Sequence, residues 1–168
     1  TENIKCDTGG RVIAFDIGNI TFSNVYLPSG TDPLMKNSRE NYAAEIIPQI
    51  LINSKDMGCI GGDWNSIVES RDAIKNPGSK QSNSLKRLIT NFAWVDSYRQ
   101  LYPDGQQFSR YYDNNVHGEG ASRIDRMNYY GGLVILEAYY VGVAFSDHFS
   151  LVVKIRLPKK KKKIASPK

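Results

Sequence analysis

Hydrophobic residues fall along the chain in short runs broken by turn formers. Arg11-Val-Ile-Ala-Phe-Asp-Ile-Gly18 and Asn19-Ile-Thr-Phe-Ser-Asn-Val-Tyr26 are rich in β-branched and aromatic residues. They read as two strands, with Gly18-Asn19 as a tight hairpin turn. From Ser38 to Asn53 the apolar positions Tyr42, Ile46, Ile47, Ile50 and Leu51 recur at helical spacing, which predicts a helix with Ser38 as N-cap and a kink at Pro48. Asp56–Asp63 reads as a short buried strand ending in a glycine pair. A second helix is predicted over Gln81–Phe92 from the stripe Leu85, Leu88, Ile89 and Phe92, and Trp94–Tyr98 as a short apolar turn or helix. Phe108–Tyr112, Arg123–Tyr130, Leu133–Val143 and Ser150–Leu157 are strand candidates, the last alternating through Leu151, Val153 and Ile155. Strands outnumber helices and no repeat is present, so the pattern predicts an α+β or layered α/β domain.

Composition narrows this further. The 168 residues, 40% hydrophobic and 23% charged, suit one globular domain. The formal charge of +5 is unevenly placed. Six of the 22 basic residues are Lys159–Lys163 and Lys168, so residues 1–157 carry 16 basic against 17 acidic groups, a net of −1. No apolar run approaches the roughly 20 residues of a spanning helix, and the start does not resemble a secretory signal. Cys6 and Cys59 read as buried free thiols of a reducing compartment. With His117 and His148 they show no paired zinc-ligand spacing.

Three clusters place polar residues where a plain core would not. Gly61-Gly62-Asp63-Trp64-Asn65 follows a buried strand, where a sharp turn projects Asp and Asn from a strand end; an Asx turn that merely closes the strand is the plainer reading. Ser122-Arg123-Ile124-Asp125-Arg126 sets an Arg and an Asp two apart on one strand face, lining a cleft or simply solvated at an edge. Ser146-Asp147-His148 joins a carboxylate to an imidazole at a strand junction, suited to metal and phosphate or to a structural role.

Taken together and in this order, Gly-Asp-Trp-Asn, Ser-Arg-Ile-Asp-Arg and Ser-Asp-His resemble the endonuclease/exonuclease/phosphatase superfamily, and Tyr26-Leu-Pro-Ser29 is similar to its Tyr-x-Pro-Asn segment. The subgroup most resembled is the apurinic-type endonuclease domain of non-LTR (LINE-type) retrotransposons. That likeness rests on the double glycine, Asp72, Trp94-Val-Asp-Ser-Tyr-Arg99, Leu101-Tyr-Pro103 and Phe108-Ser-Arg110. It spans roughly residues 10–157.

The resemblance implies a DNase I-like, four-layered β-sandwich with flanking helices, and a Mg²⁺-dependent enzyme, with Mn²⁺ as a substitute, that nicks DNA. Asp63 would orient or deprotonate the attacking water, with Asn65 holding it or the phosphate. Asp147 would contribute to the metal site. His148 would contact the scissile phosphate, with Asp125 fixing its tautomer. Tyr26 would hydrogen-bond the phosphate, and Ser29, Ser109 and Arg123 would serve phosphate or DNA binding. Such chemistry needs an activated water, charge neutralisation on phosphate oxygens and help for the leaving 3′ oxygen. Ser29 replaces the family's usual Asn and Ser109 its frequent Thr, both keeping a hydrogen-bonding group.

A further departure is larger. The family domain normally begins with a stretch of about 80 residues carrying an Asn and a metal-binding Glu, so residues 1–157 are expected to be its C-terminal two-thirds. Glu2 is the only upstream acid with the right chemistry, and its polar surroundings do not match the family motif. Residues 158–168 read as a basic disordered tail whose lysines neutralise phosphates or serve nuclear import. The expected partners are DNA and other domains of a parent polyprotein, such as the N-terminal segment or a reverse transcriptase; no membrane is expected. The alternatives are another hydrolase of the superfamily, an abasic-site repair nuclease or phosphatase, and an inactive remnant with a binding role.

Overall fold

The computed structural model describes residues 4–30, 32–52, 54–75, 80–112 and 120–157. Glu2, His117 and the lysine tail lie outside them.

The chain opens with β1 (Ile4–Cys6), β2 (Val12–Ile17) and β3 (Ile20–Tyr26), an antiparallel meander. Gly18 takes φ +62° in the two-residue turn that pairs Ile17 with Ile20, a conformation glycine adopts without strain. A helical segment follows, starting earlier than the hydrophobic stripe predicts. Asp32, not Ser38, is the N-cap: its side chain accepts from Met35 N, and Pro33 occupies the first turn of α1 (Pro33–Asn41). The first turns are polar, so periodicity carried no trace of them. A π-helical turn, Tyr42–Ile46, then leads to α2 (Ile47–Leu51). Pro48 cannot donate to the carbonyl four residues back, which accounts for a widened turn where the sequence predicts a kink.

Next come β4 (Met57–Asp63), β5 (Ala73–Ile74), α3 (Asn83–Asn91, capped by Ser82), β6 (Val95–Asp96) and α4 (Ser97–Leu101, capped by Asp96). The remaining strands are β7 (Arg110–Tyr112), β8 (Gly120–Ser122), β9 (Asp125–Tyr130), β10 (Val134–Val141) and β11 (Ser150–Arg156).

Six strands form one sheet in the order β1-β2-β3-β4-β9-β6, with β3 and β4 parallel and the other neighbours antiparallel. Alternation along β2 and β3 separates two cores. Val12, Ala14, Val25 and Ile60 pack with Ala43, Ile47, Leu51, Leu85 and Leu88 of the helices. On the other face Ile20, Cys59 and Tyr129 meet Leu133, Ile135, Ala138 and Tyr140, with Leu151, Val153 and Ile155 of β11 against them. The layers are therefore helices, a six-stranded sheet and the β10–β11 hairpin, with β5-β8-β7 as a smaller third sheet. No described helix is long and apolar enough to cross a membrane.

The hairpin covers only part of its face. Ile4, Ile13 and Ile17, which alternation places on that side of β1 and β2, are exposed. The two cysteines differ: Cys59 is buried, its thiol pushed up to about 11 by desolvation, whereas Cys6 is exposed rather than buried as the sequence suggested. Both are free.

Gly62 fixes the approach of β4 to β3. Its φ is +135°, and a Cβ there would lie 2.0 Å from the Val25 carbonyl oxygen. Gly62→Ala should therefore cost about 2–4 kcal/mol in urea unfolding. Gly132→Ala, whose Cβ meets only Met57 Sδ at 3.9 Å, should cost under about 1 kcal/mol.

Candidate functional site

The site forms where β4 and β9 end. Their antiparallel register places Asp63 directly opposite Asp125. The loop before β11 brings in His148, whose backbone bridges Arg110 of β7. Ligand atoms of Asp63, Asp125 and His148 lie within 4.8 Å of one another. They stand in a cleft of about 560 Å³ floored by Gly61 and Gly62 and walled by Val143, Phe145 and Phe149.

Each member is held from behind. Asn65, at φ +46°, donates its backbone N–H to Asp63 Oδ1 (2.8 Å) and its amide to Asp63 Oδ2 (3.1 Å) and the Leu27 carbonyl (2.8 Å). It clamps the carboxylate and ties it to the end of β3. Asp125 Oδ2 stands 2.9 Å from His148 Nδ1, an acid–imidazole pair of hydrogen-bond length. Ser109, fully buried, accepts the backbone N–H groups of Ile124 and Asp125, both at 2.9 Å, and the Tyr140 hydroxyl donates to the Asp125 carbonyl at 2.7 Å.

Two carboxylates this close are costly to ionise together. Burial, reinforced by Asp125, pushes Asp63 up to about 6; the Asn65 N–H, His148 and Arg110 offset only part of this. Burial also raises Asp125, opposed by Ser109 and His148.

Several expected roles need correcting. Arg123 does not reach DNA: it is 1% exposed, its Nε donating to Asp72 Oδ1 (2.9 Å) and its Nη1 to Asp96 Oδ2 (2.7 Å). Asp72 also receives Arg99 Nη2 at 2.6 Å and lies 3.6 Å from Arg126 Nη2. Burial disfavours its charge, but Arg126, Arg123 and Arg99 outweigh that and hold it near 2. Ser109 likewise faces inward, setting the Asp125 backbone instead of touching a phosphate. Asp147 does not join the converging ligand atoms of the cluster; its Oδ2 is paired with Arg110 Nε at 2.8 Å. That pairing, first through the hydrogen bond from Arg110, keeps its carboxyl below the ordinary range. The acids that converge are Asp63 and Asp125.

Tyr26 sits opposite Asp63 in the β3–β4 ladder, half exposed, its ring 5.4 Å from the Arg11 guanidinium. Ser29 is exposed in the loop after β3. That loop is pinned by buried Arg39, which donates to the Pro28 (2.9 Å) and Gly30 (2.6 Å) carbonyls. Sequence reasoning missed Arg39, Arg110 and Tyr140. Arg110 lay inside the quoted Phe-Ser-Arg segment without a role, and nothing local marks the other two.

No protein-family model matches the sequence, and no curated protein matches it significantly. Solved structures do match. An AP endonuclease from Archaeoglobus fulgidus superposes with a TM-score of 0.73 at 19% identity over 93% of this chain and 71% of that one. The 3′ phosphatase NExo from Neisseria, bound to product DNA hairpin, gives 0.69 at 16% identity over 90% and 66%. The 3′-5′ exonuclease NExo from Neisseria meningitidis gives 0.64 at 16% identity over 90% and 67%. The chain thus has the α/β sandwich fold of these DNase I-like enzymes and spans about two thirds of their length.

Two outcomes are expected. Arg123→Ala should destabilise the fold by about 3–5 kcal/mol in urea, because it leaves Asp72 buried and underpaired; a folded variant with weaker DNA binding alone would return Arg123 to the expected role. Asp63→Asn should raise stability. The folded carboxyl is raised from 3.8 to about 6, so its charge is unfavourable above pH 6 and absent below pH 4. The gain, about 1–2 kcal/mol at pH 7.5, should vanish near pH 4 in thermal melts taken across that range.

Proposed function

We propose that this chain is the catalytic part of a metal-dependent endonuclease that nicks DNA, of the kind carried by non-LTR retroelements. The observation that carries the reading is the cluster itself: an Asp-held imidazole and a second, reluctantly ionised carboxylate at one strand end. The fold is shared with enzymes described as an AP endonuclease and a 3′ phosphatase on DNA, which supports DNA as substrate. The retroelement assignment is supported by the Trp94–Arg99 and Leu101–Pro103 segments.

Hydrolysis forms a bond from water oxygen to phosphorus and breaks the bond to the 3′ oxygen. Asp63, ionised above about pH 6 and clamped by Asn65, takes the water's proton. His148 directs Nε2 at a non-bridging phosphate oxygen, its Nδ1 fixed by Asp125. The departing 3′ oxygen leaves with a proton from solvent. Asp63 and Asp125 present the hard oxygen donors that suit a divalent cation. Mg²⁺, or Mn²⁺ in its place, would be held there and would neutralise charge on the phosphate.

The two-carboxylate site and the length of the structural neighbours support a further expectation. Joined to an upstream segment that supplies another acid, the domain binds Mg²⁺ tightly; alone it binds weakly and nicks little. Relaxation of supercoiled plasmid with Mg²⁺ tests this, with abasic duplex and 3′-phosphate oligonucleotides as competing substrates. Asp63→Ala and His148→Ala should each lower nicking at least about 10²-fold in the joined protein. Its kcat/KM should rise with pH through a midpoint at or below 6 as Asp63 ionises. Preference for 3′-phosphate ends over intact plasmid would replace the endonuclease reading with a phosphatase one.

A further inference from the structure

We propose that Lys80 and Arg110 form a second phosphate subsite beside the catalytic cluster, taking the backbone phosphate next to the scissile one on the same DNA strand. The inference rests on the nuclease reading for the identity of the polyanion.

The small sheet supplies the platform. Arg110 pairs with Ser122 across β7 and β8, and Tyr112, two residues on, shares the Arg110 face. The backbone bridge from Arg110 to His148 makes that face continuous with the active cleft. Lys80 enters from a segment fixed by the Ile67 N–H, which donates to the Lys80 carbonyl at 2.9 Å. Its ammonium donates to Ser122 Oγ at 3.1 Å and lies 4.5 Å from the centre of the Tyr112 ring.

That setting is unusual for a lysine. It is partly buried, and among the described residues no carboxylate lies within ion-pair distance of it. Burial, then the nearby Arg110 charge, lowers its pKa. A hydroxyl and an aromatic face orient the ammonium without neutralising it. Two cations therefore converge on one strand face while only Arg110 has an acid, Asp147. An arriving anion relieves this repulsion, and a phosphodiester offers one charge with two free oxygens, one for each cation. The bridge to His148 sets Arg110 beside the catalytic cluster rather than on a remote surface.

The test is DNA binding, measured apart from catalysis. Fluorescence anisotropy of a short labelled duplex, in EDTA and across a NaCl series, should give a plot of log K against log salt. Lys80→Gln should weaken binding about 5–10-fold at low salt and flatten the slope by about 0.9, the loss of one phosphate contact. Lys80→Arg should keep both, and an unchanged melting temperature should show that Lys80→Gln is folded. An unaltered slope overturns the subsite. So does inorganic phosphate that raises the melting temperature of wild type but not of Lys80→Gln while the slope stays the same, since the pair would then serve a free anion. Plasmid nicking by the domain joined to its upstream acid-bearing segment separates the two readings. Nicking with no slope change removes only the subsite, whereas a slope change without nicking removes only the nuclease assignment.

Discussion

Because β4 and β9 run antiparallel and end together, the last residue of one faces the first of the other, and both are aspartates. Two largely buried carboxylates at a separation set by the ladder resist ionisation, by burial first and, for Asp63, by the neighbouring acid second. Much of the surrounding structure acts to hold them there. Asn65 locks one carboxylate with two donors, His148 engages the other, and Ser109 and Tyr140 grip the backbone that carries Asp125. Behind this, Gly62 lets β3 and β4 approach closely enough for Leu27 N–H to reach the Asp63 carbonyl at 2.9 Å. Together these contacts make a frame that holds both acids at one strand end.

That frame depends in turn on a second, hidden set of charges. Asp72 and Asp96 gather Arg99, Arg123 and Arg126 between the small sheet, α4 and the start of β9. The Asp72 carbonyl also accepts Arg123 N–H at 2.7 Å, so backbone and side chain are joined at both positions. Such a buried network contributes specificity of arrangement more than net stability. It fixes where Ser122–Arg126 runs, and therefore where Asp125 sits. The arginines of this chain thus divide by depth: Arg123 and Arg126 are buried in the frame, while Arg110 is partly exposed and paired with Asp147.

The sequence carried the strands and the three motif clusters well, because β-branched runs and Gly-rich turns report local backbone preference. It misplaced the start of the first helix because Asp32-Pro33 caps a segment with no apolar stripe. It could not tell Arg123 from Arg110. Both lie two or fewer residues from a motif polar group, and only the tertiary partner, Asp72 or Asp147, decides which is buried. Asp147 fails in the same way: adjacency to His148 in the chain suggested a shared ligand role, but its carboxylate is taken by Arg110. Short strands such as β5 and β8, two and three residues long, exist only through their pairing and leave no pattern to read.

The outer edge of β11 has no described partner, and Ile4, Ile13 and Ile17 lie bare on the same side of the large sheet. The outward-pointing half of its backbone donors and acceptors, beside an apolar ladder, forms a template for strand addition. Lys154 and Arg156 are the only charges that β11 sets against it. Strand addition at that edge would join two copies without disturbing either core. A charged residue in place of Val152, which is exposed and central in the strand, is the change that would most improve its solution behaviour.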